Sequence, residues 1–328
     1  MSEANSGINQ KQNKNILMHA WMIFATYDKN AITQQSLYKK FQFVILFLGI
    51  IVTILALVSA VDSPKEATQT NSNSNNNGTN SLGSSIQTNN TDINNKTEAS
   101  SELFLRYAII ILPISISILV ASSTYFKYGN KWVMLRNAAE EIKSEIYQYR
   151  TKVGNYKENK SSTNNQQTPL KPEEKLSQQI EIINNQLMSS EVGLSSLSKY
   201  EGNIPPKMYG AAADDDGLSN LDPDRYVNIR IDDQINYYQG KTGKIYKNLQ
   251  VLQWLIFIGG GVGTFIAAIG LELWVALTST IVSVFTIYLQ YNQIENILIK
   301  YNQALMQLNN IKTWWSILSE KNERILSL

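Results

Sequence analysis

The chain has 328 residues, 29 Lys+Arg against 27 Asp+Glu, a single His and no Cys. At about 150 residues per domain the length allows two folded units, and the near balance of charge weighs against nucleic acid as the main partner, because phosphate binding needs a clear basic excess. Without Cys there is no disulfide framework, Cys-ligated zinc, iron–sulfur cluster or thiol nucleophile; a Ser-His-Asp triad would rest wholly on His19, which no motif pairs with an acid or a serine.

Residues 1–40 read as an amphipathic N-terminal helical segment. From Phe41 to Val61 the chain is predominantly apolar and free of charge, and about 20 such residues cross the roughly 30 Å hydrocarbon layer of a bilayer. This first span lies behind a polar stretch and exceeds the roughly 7–15 apolar residues of a cleaved signal, so it reads as an anchor that stays. Residues 62–103 follow as an external loop in which Asn, Ser and Thr fill 24 of 42 positions. Such a composition buries too little apolar surface to offset ordering entropy, and the loop reads as disordered. Asn77, Asn89 and Asn95 fit the glycosylation pattern, as chance allows in so Asn-rich a run. The second span covers 104–126, with Pro113 midway, where a static kink is a simpler expectation than a gating hinge.

Beyond it, Tyr128, Trp132, Leu135, Ala139, Ile142, Ile146, Tyr149 and Val153 alternate at spacings of four and three, giving a helix over 127–156. A polar linker (157–172) leads to a helix over 173–201 carried by Leu176, Ile180, Ile183, Leu187, Leu194 and Leu197, and closed by Gly202 and Pro205-Pro206. In the acidic loop 202–224, Asp214-Asp215-Asp216-Gly217 has the acid density of a calcium loop but neither its spacing nor its terminal glutamate, so a solvated loop is expected. A lead-in helix (225–250) enters the third span (251–270). A turn too short for anything else precedes the fourth span (273–290), and residues 291–328 leave it as a C-terminal helix.

The whole reads as an all-α integral membrane protein: four transmembrane helices in two hairpins, continued by long amphipathic helices packed as a bundle or coil. Lys and Arg set the orientation: five in residues 1–40, two in 62–103, seventeen in 127–247, none in the 271–272 turn and four in 291–328. Both termini and the long middle segment are therefore expected in the cytoplasm. The four–three seams offer more apolar surface than one small chain covers, so a homo-oligomer in the lipid bilayer is expected.

The chain is also a loose duplication, each half comprising an amphipathic lead-in, a hairpin and a long following helix. Its second half resembles the bacterial SLATT family of two-transmembrane domains through Arg230-Ile231-Asp232-Asp233-Gln234-Ile235-Asn236-Tyr237-Tyr238, Gly259-Gly260-Gly261-Val262-Gly263-Thr264, Lys300-Tyr301-Asn302-Gln303-Ala304 and Trp314-Trp315. The first half resembles it through Leu135-Arg136-Asn137-Ala138-Ala139-Glu140-Glu141-Ile142-Lys143 and Glu145-Ile146-Tyr147-Gln148-Tyr149-Arg150. The resemblance implies an effector of the bacterial inner membrane that opens a pore or channel on a cytoplasmic signal, either a nucleotide or a protein partner. It departs from the family in doubling the two-helix unit. The alternative is a non-conducting scaffold whose helices recruit a partner.

Three sets of residues are candidates for function. Gly259 and Gly263 form a GxxxG pair suited to close helix packing. Ala276, Ser279, Ser283, Thr286 and Gln290 share one stripe of the fourth span, which can line a wet pore or pack on a neighbour. Arg136, Glu140, Lys143 and Glu145 can hold an anion or nucleotide, or simply form intrahelical ion pairs. No span carries a charge near its middle, which disfavours a coupled transporter. No phosphate loop, dinucleotide fingerprint or metal-ligand run appears, so neither enzyme activity nor a cofactor is expected.

Overall fold

The computed structural model describes residues 2–62, 91–157, 170–206 and 215–318, with side chains from residue 13 in the first stretch and 103 in the second. Most of the external loop, its Asn77 and Asn89, the middle of the 157–172 linker and Asp214 lie outside the described residues. The side chain of Asn95 does so too.

Among the described residues every regular element is helical: α1 (Ser2–Asp62), α2 (Thr91–Phe126), α3 (Tyr128–Thr151), α4 (Pro172–Met188), the short α5 (Pro223–Tyr226), α6 (Asp232–Ala268), α7 (Glu272–Tyr291) and α8 (Ile294–Ile317). Four of these stretches are long and apolar enough to cross a membrane. α2 starts at Thr91, within the stretch whose composition reads as unordered.

The chain divides into two compact units. The apolar unit comprises 42–122 and 254–288, the four spans. Its large side chains point outward: Phe43, Phe47, Ile110, Ile114, Ile118, Phe257 and Phe265 are all exposed, the inverse of a water-soluble core and what a lipid solvent requires. Gly270, at φ +78°, makes the tight turn between α6 and α7, a left-handed conformation that glycine adopts without a Cβ clash.

The bundle unit comprises 1–41, 123–253 and 289–328. Its core is the meeting of α1, α3 and α4: Leu17, Ala20, Trp21 and Phe24 pack with Leu135, Ala139, Ile142 and Ile146 and with Leu176, Ile180, Ile183 and Leu187. The four–three spacing thus puts one face of each helix inward, each large aliphatic side chain contributing about 1.5–3 kcal/mol by burial. α6 and α8 form a second, less buried layer, with Ile235, Leu298, Tyr301 and Leu305 half-exposed.

Two expectations are corrected. The helix from 173 ends at Met188, followed by a short 3-10 turn (Glu191–Leu194) and an extended segment. Ser190 caps that turn by accepting from the Val192 N–H at 3.2 Å. Val192 takes the buried place, leaving Leu194 90% exposed. The extended segment is held to α1 by Asn30, which donates to Ser198 O and accepts from Ser198 N at 2.8 and 3.0 Å.

The acidic loop is not simply solvated. Its Asp215 is 6% exposed and meets Arg150, whose side chain is wholly buried. A buried guanidinium needs a counter-charge, and the loop folds inward to supply it.

Uninterrupted passage from span to bundle holds for α1 and α6. The other two spans are jointed: Lys127 (φ 50°) separates α2 from α3, and Gln293 (φ 46°) separates α7 from α8. Both are non-glycine residues in the left-handed region, at equivalent places in the two hairpins.

Candidate functional site

In the apolar unit, α6 and α7 approach closely at the two candidate glycines. A Cβ on Gly259 would stand 2.7 Å from Val282 Cγ2, and one on Gly263 would stand 3.0 Å from Thr278 Oγ1. Thr53 of α1 donates to Thr280 of α7 at 3.4 Å. The candidate stripe lies away from this contact: Ala276, Ser279, Ser283 and Gln290 are exposed, and Thr286 is half-buried. Ser279 and Thr286 return their hydroxyl protons to backbone carbonyls of their own helix, Ala276 O at 3.0 Å and Val282 O at 2.9 Å. That satisfies each donor without a second helix and leaves lone pairs outward.

In the bundle unit, three of the four residues of the cytoplasmic cluster border one cavity of about 830 Å³, walled by α1, α3, α6, α8 and the extended segment. Arg136 forks between Asp28 of α1 and Glu140 one turn along α3, the latter at 2.7 Å. Lys143 is 11% exposed and reaches Glu140 only at 3.8 Å, with its ammonium 5.6 Å from the Phe24 ring centre. Burial, then the nearby Arg230 and Arg136, push that ammonium down to about 8, against a smaller upward pull from Glu140 and Asp28. Glu145 points elsewhere and accepts from Tyr156 Oη at 2.5 Å. Burial and that bond both raise the Tyr156 phenol. The intrahelical Arg136–Glu140 pair is present, and Asp28 extends it between helices.

Residue spacing alone misses the opposite wall. Tyr237 and Tyr238 of α6 stand 5.4 Å apart by ring centre, and Tyr238 is 5.1 Å from Tyr301 of α8. Lys241 lies 5.5 Å from the Tyr237 ring centre. These tyrosines belong to the segments that carry the family resemblance, which is the one signal in the sequence that marks them. His19 is exposed. Among the described residues no cluster of three or more His, Asp and Glu can hold a metal.

Two apolar hairpins whose helices run into a packed helical bundle define a multi-helix membrane protein of the all-α class. Residues 226–327 match the family model described as SMODS and SLOG-associating 2TM effector domain 1. Residues 22–164 match a family described as a protein of unknown function (DUF4231). The second half of the chain is thus similar to a two-helix membrane effector domain, and the separate match in the first half is consistent with a tandem, SLATT-like arrangement. No curated protein and no solved structure matches the chain.

Proposed function

We propose that this chain is a membrane effector whose oligomer opens a pore when its bundle unit receives a signal, with no enzymatic step of its own. The observation that carries the reading is the match of residues 226–327 to a two-helix membrane effector domain. The α7 stripe supports it: a run of exposed small and hydroxyl-bearing side chains is the surface that water wets in a pore or that a second copy covers. Association also suits α8, where Ile299, Met306 and Ile317 are exposed on a helix half-buried within its own chain. The Lys and Arg distribution favours the bundle unit and both termini on the cytoplasmic side, and the resemblance to a bacterial family favours the inner membrane. The expected trigger is a cytoplasmic nucleotide or protein partner, and nucleic acid is not a partner. α1 and α6, unbroken helices shared by both units, are the mechanical route by which a shift in the bundle reaches the spans.

Planar-bilayer recording of the purified protein tests this, with Ser283→Leu and Thr286→Leu as paired variants. Leucine keeps the span helical and lipid-compatible while removing the hydroxyl, so conductance should fall or change. Silence of the wild type across nucleotides and calcium would reject the pore. Light scattering at the monomer mass would reject the oligomer. A reporter after Leu328 active only outside the cytoplasm would reject the orientation.

A non-conducting anchor is the alternative. What favours it is a second cavity of about 490 Å³ in the bundle unit, where Tyr226, Ile311, Trp314 and Trp315 form a mainly apolar wall suited to a partner side chain.

A further inference from the structure

We propose that the larger cavity of the bundle unit binds a small ligand carrying both an anionic group and a planar ring, of the nucleotide class, and that this is where the signal is received, an inference that rests on the effector reading above. Its volume of about 830 Å³ falls within the range of about 300–1,000 Å³ typical of small-molecule sites.

The cavity walls are chemically divided. On one side stand three cations, Lys29, Arg136 and Lys143, against two carboxylates, Asp28 and Glu140, and a fourth cation, Lys241, stands beside Tyr237 on the other. Both carboxylates are engaged by Arg136. Lys143 is therefore left with a long contact to an already neutralised Glu140, inside a wall where its ammonium is largely desolvated. An uncompensated buried cation is costly, and an anion in the cavity would restore both charge and hydrogen bonding. Lys29 donates a hydrogen bond to Lys199 O at 2.9 Å, and its positive charge stays at the rim. The net field of the wall is positive and selects against a cationic ligand.

On the other side, Tyr237, Tyr238 and Tyr301 cluster at 5–7 Å between ring centres. Aromatic faces of this kind accept a planar ring by stacking. Neither wall alone identifies the ligand. Together they ask for a molecule with an anion at one end and a ring at the other.

The site also has the right place for a trigger. Asp28 and Lys29 lie on α1, and Tyr237, Tyr238 and Lys241 on α6. These are the two helices that pass without a break into the spans. A ligand touching both walls would favour one spacing of α1 and α6 over others, and a differential affinity of that kind is what shifts a two-state equilibrium.

The test is isothermal titration of the full chain in detergent with AMP, GMP, cyclic di-AMP and cyclic di-GMP, using adenosine and inorganic phosphate as the two half-ligands. At least one nucleotide should bind, about tenfold or more tighter than either half-ligand. Lys143→Met and Tyr238→Leu should each weaken it by about tenfold. Lys241→Gln, at an exposed position that tolerates change, should weaken it by about threefold or more. The proposal is overturned if none of the four binds, if phosphate alone binds as tightly as the nucleotide, or if Lys143→Met and Lys241→Gln both bind like wild type. Conductance separates this result from the effector reading. A channel opened by some other trigger with no nucleotide bound removes the site and keeps the pore. Nucleotide binding to a protein that never conducts removes the pore and keeps the site.

Discussion

Arg150 and Asp215, 65 residues apart in the chain, close a two-pronged ion pair inside the bundle unit, Nη1 to Oδ2 at 3.0 Å and Nη2 to Oδ1 at 2.5 Å. The remaining guanidinium edge is filled as well, Nε donating to Ser219 O at 2.8 Å. Leu221 N donates to Arg150 O at 2.9 Å, and Trp21 Nε1 donates to Gly217 O at 2.7 Å. The loop is thereby stitched to α3 and α1. Removing one member of such a pair strands a buried charge. Asp215→Ala is expected to cost about 3–5 kcal/mol, lowering the unfolding temperature by about 10 °C. Arg150→Met with Asp215→Leu should cost far less than either single change. Thermal unfolding of the three variants in one detergent checks this, and a double variant as damaged as Asp215→Ala would contradict it.

Lys143 gives a pH signature with a definite sign. Its folded value of about 8 lies below the ordinary 10.5. Between those values the unfolded chain holds more protons than the folded one, so this group's contribution to stability increases as pH rises through that window. Binding an anion has the opposite dependence. The ligand favours the ammonium, so affinity should fall as pH rises past about 8, with proton uptake on binding just above that pH. Titration calorimetry in two buffers of different ionisation enthalpy reads the uptake, and Lys143→Met should abolish it.

Neighbouring glycines in α6 should respond in opposite ways. At Gly259 an added side chain meets Val282, whereas at Gly260 nothing lies within 4 Å. Gly259→Leu should destabilise the hairpin by about 1–3 kcal/mol through overpacking, and Val282→Ala should recover part of that loss. Gly260→Ala should be neutral or mildly stabilising, because Ala is the better helix former. Equal damage at both positions would show that α6 and α7 do not meet as described.

At the joint before α8, Gln293 is exposed and holds φ 46°. A Cβ in that conformation costs about 1–2 kcal/mol, partly offset by the greater unfolded-state entropy of glycine. Gln293→Gly should therefore raise stability by about 0.5–1 kcal/mol, while Gln293→Val should lower it. Unchanged melting for both would mean the joint relaxes into continuous helix.

What the sequence discloses depends on how local the signal is. The spans follow from apolar runs, and Leu135, Ile142, Ile146, Leu176, Ile180 and Ile183 from helical spacing, because each helix writes its buried face into its own residues. Leu194 continues the same rhythm yet lies in solvent, since Ser190 stops the helix and Val192 turns inward instead. Periodicity detects a face, not the residue at which a cap ends it. Lys127 and Gln293 carry no glycine to announce their left-handed turns. Arg136 and Lys143 are visible as a helical cluster, but their apposition to Asp28 and to Tyr238 joins α1, α3 and α6, and no spacing within one helix encodes it. Arg150 and Asp215 are hidden for the same reason.

The divided cavity bears on why two such units share one chain. In a symmetric pair of identical subunits, every residue at a shared surface recurs around the axis, so an acid-and-base wall must face its own image. Here the charge network of Asp28, Arg136, Glu140 and Lys143 comes from the first half, and the three clustered tyrosines from the second. Covalent linkage releases the copies from that identity. Each half is free to specialise, and drift in one wall leaves the other untouched. A molecule with two dissimilar ends can then be held in a single orientation, which a strictly two-fold pocket cannot impose.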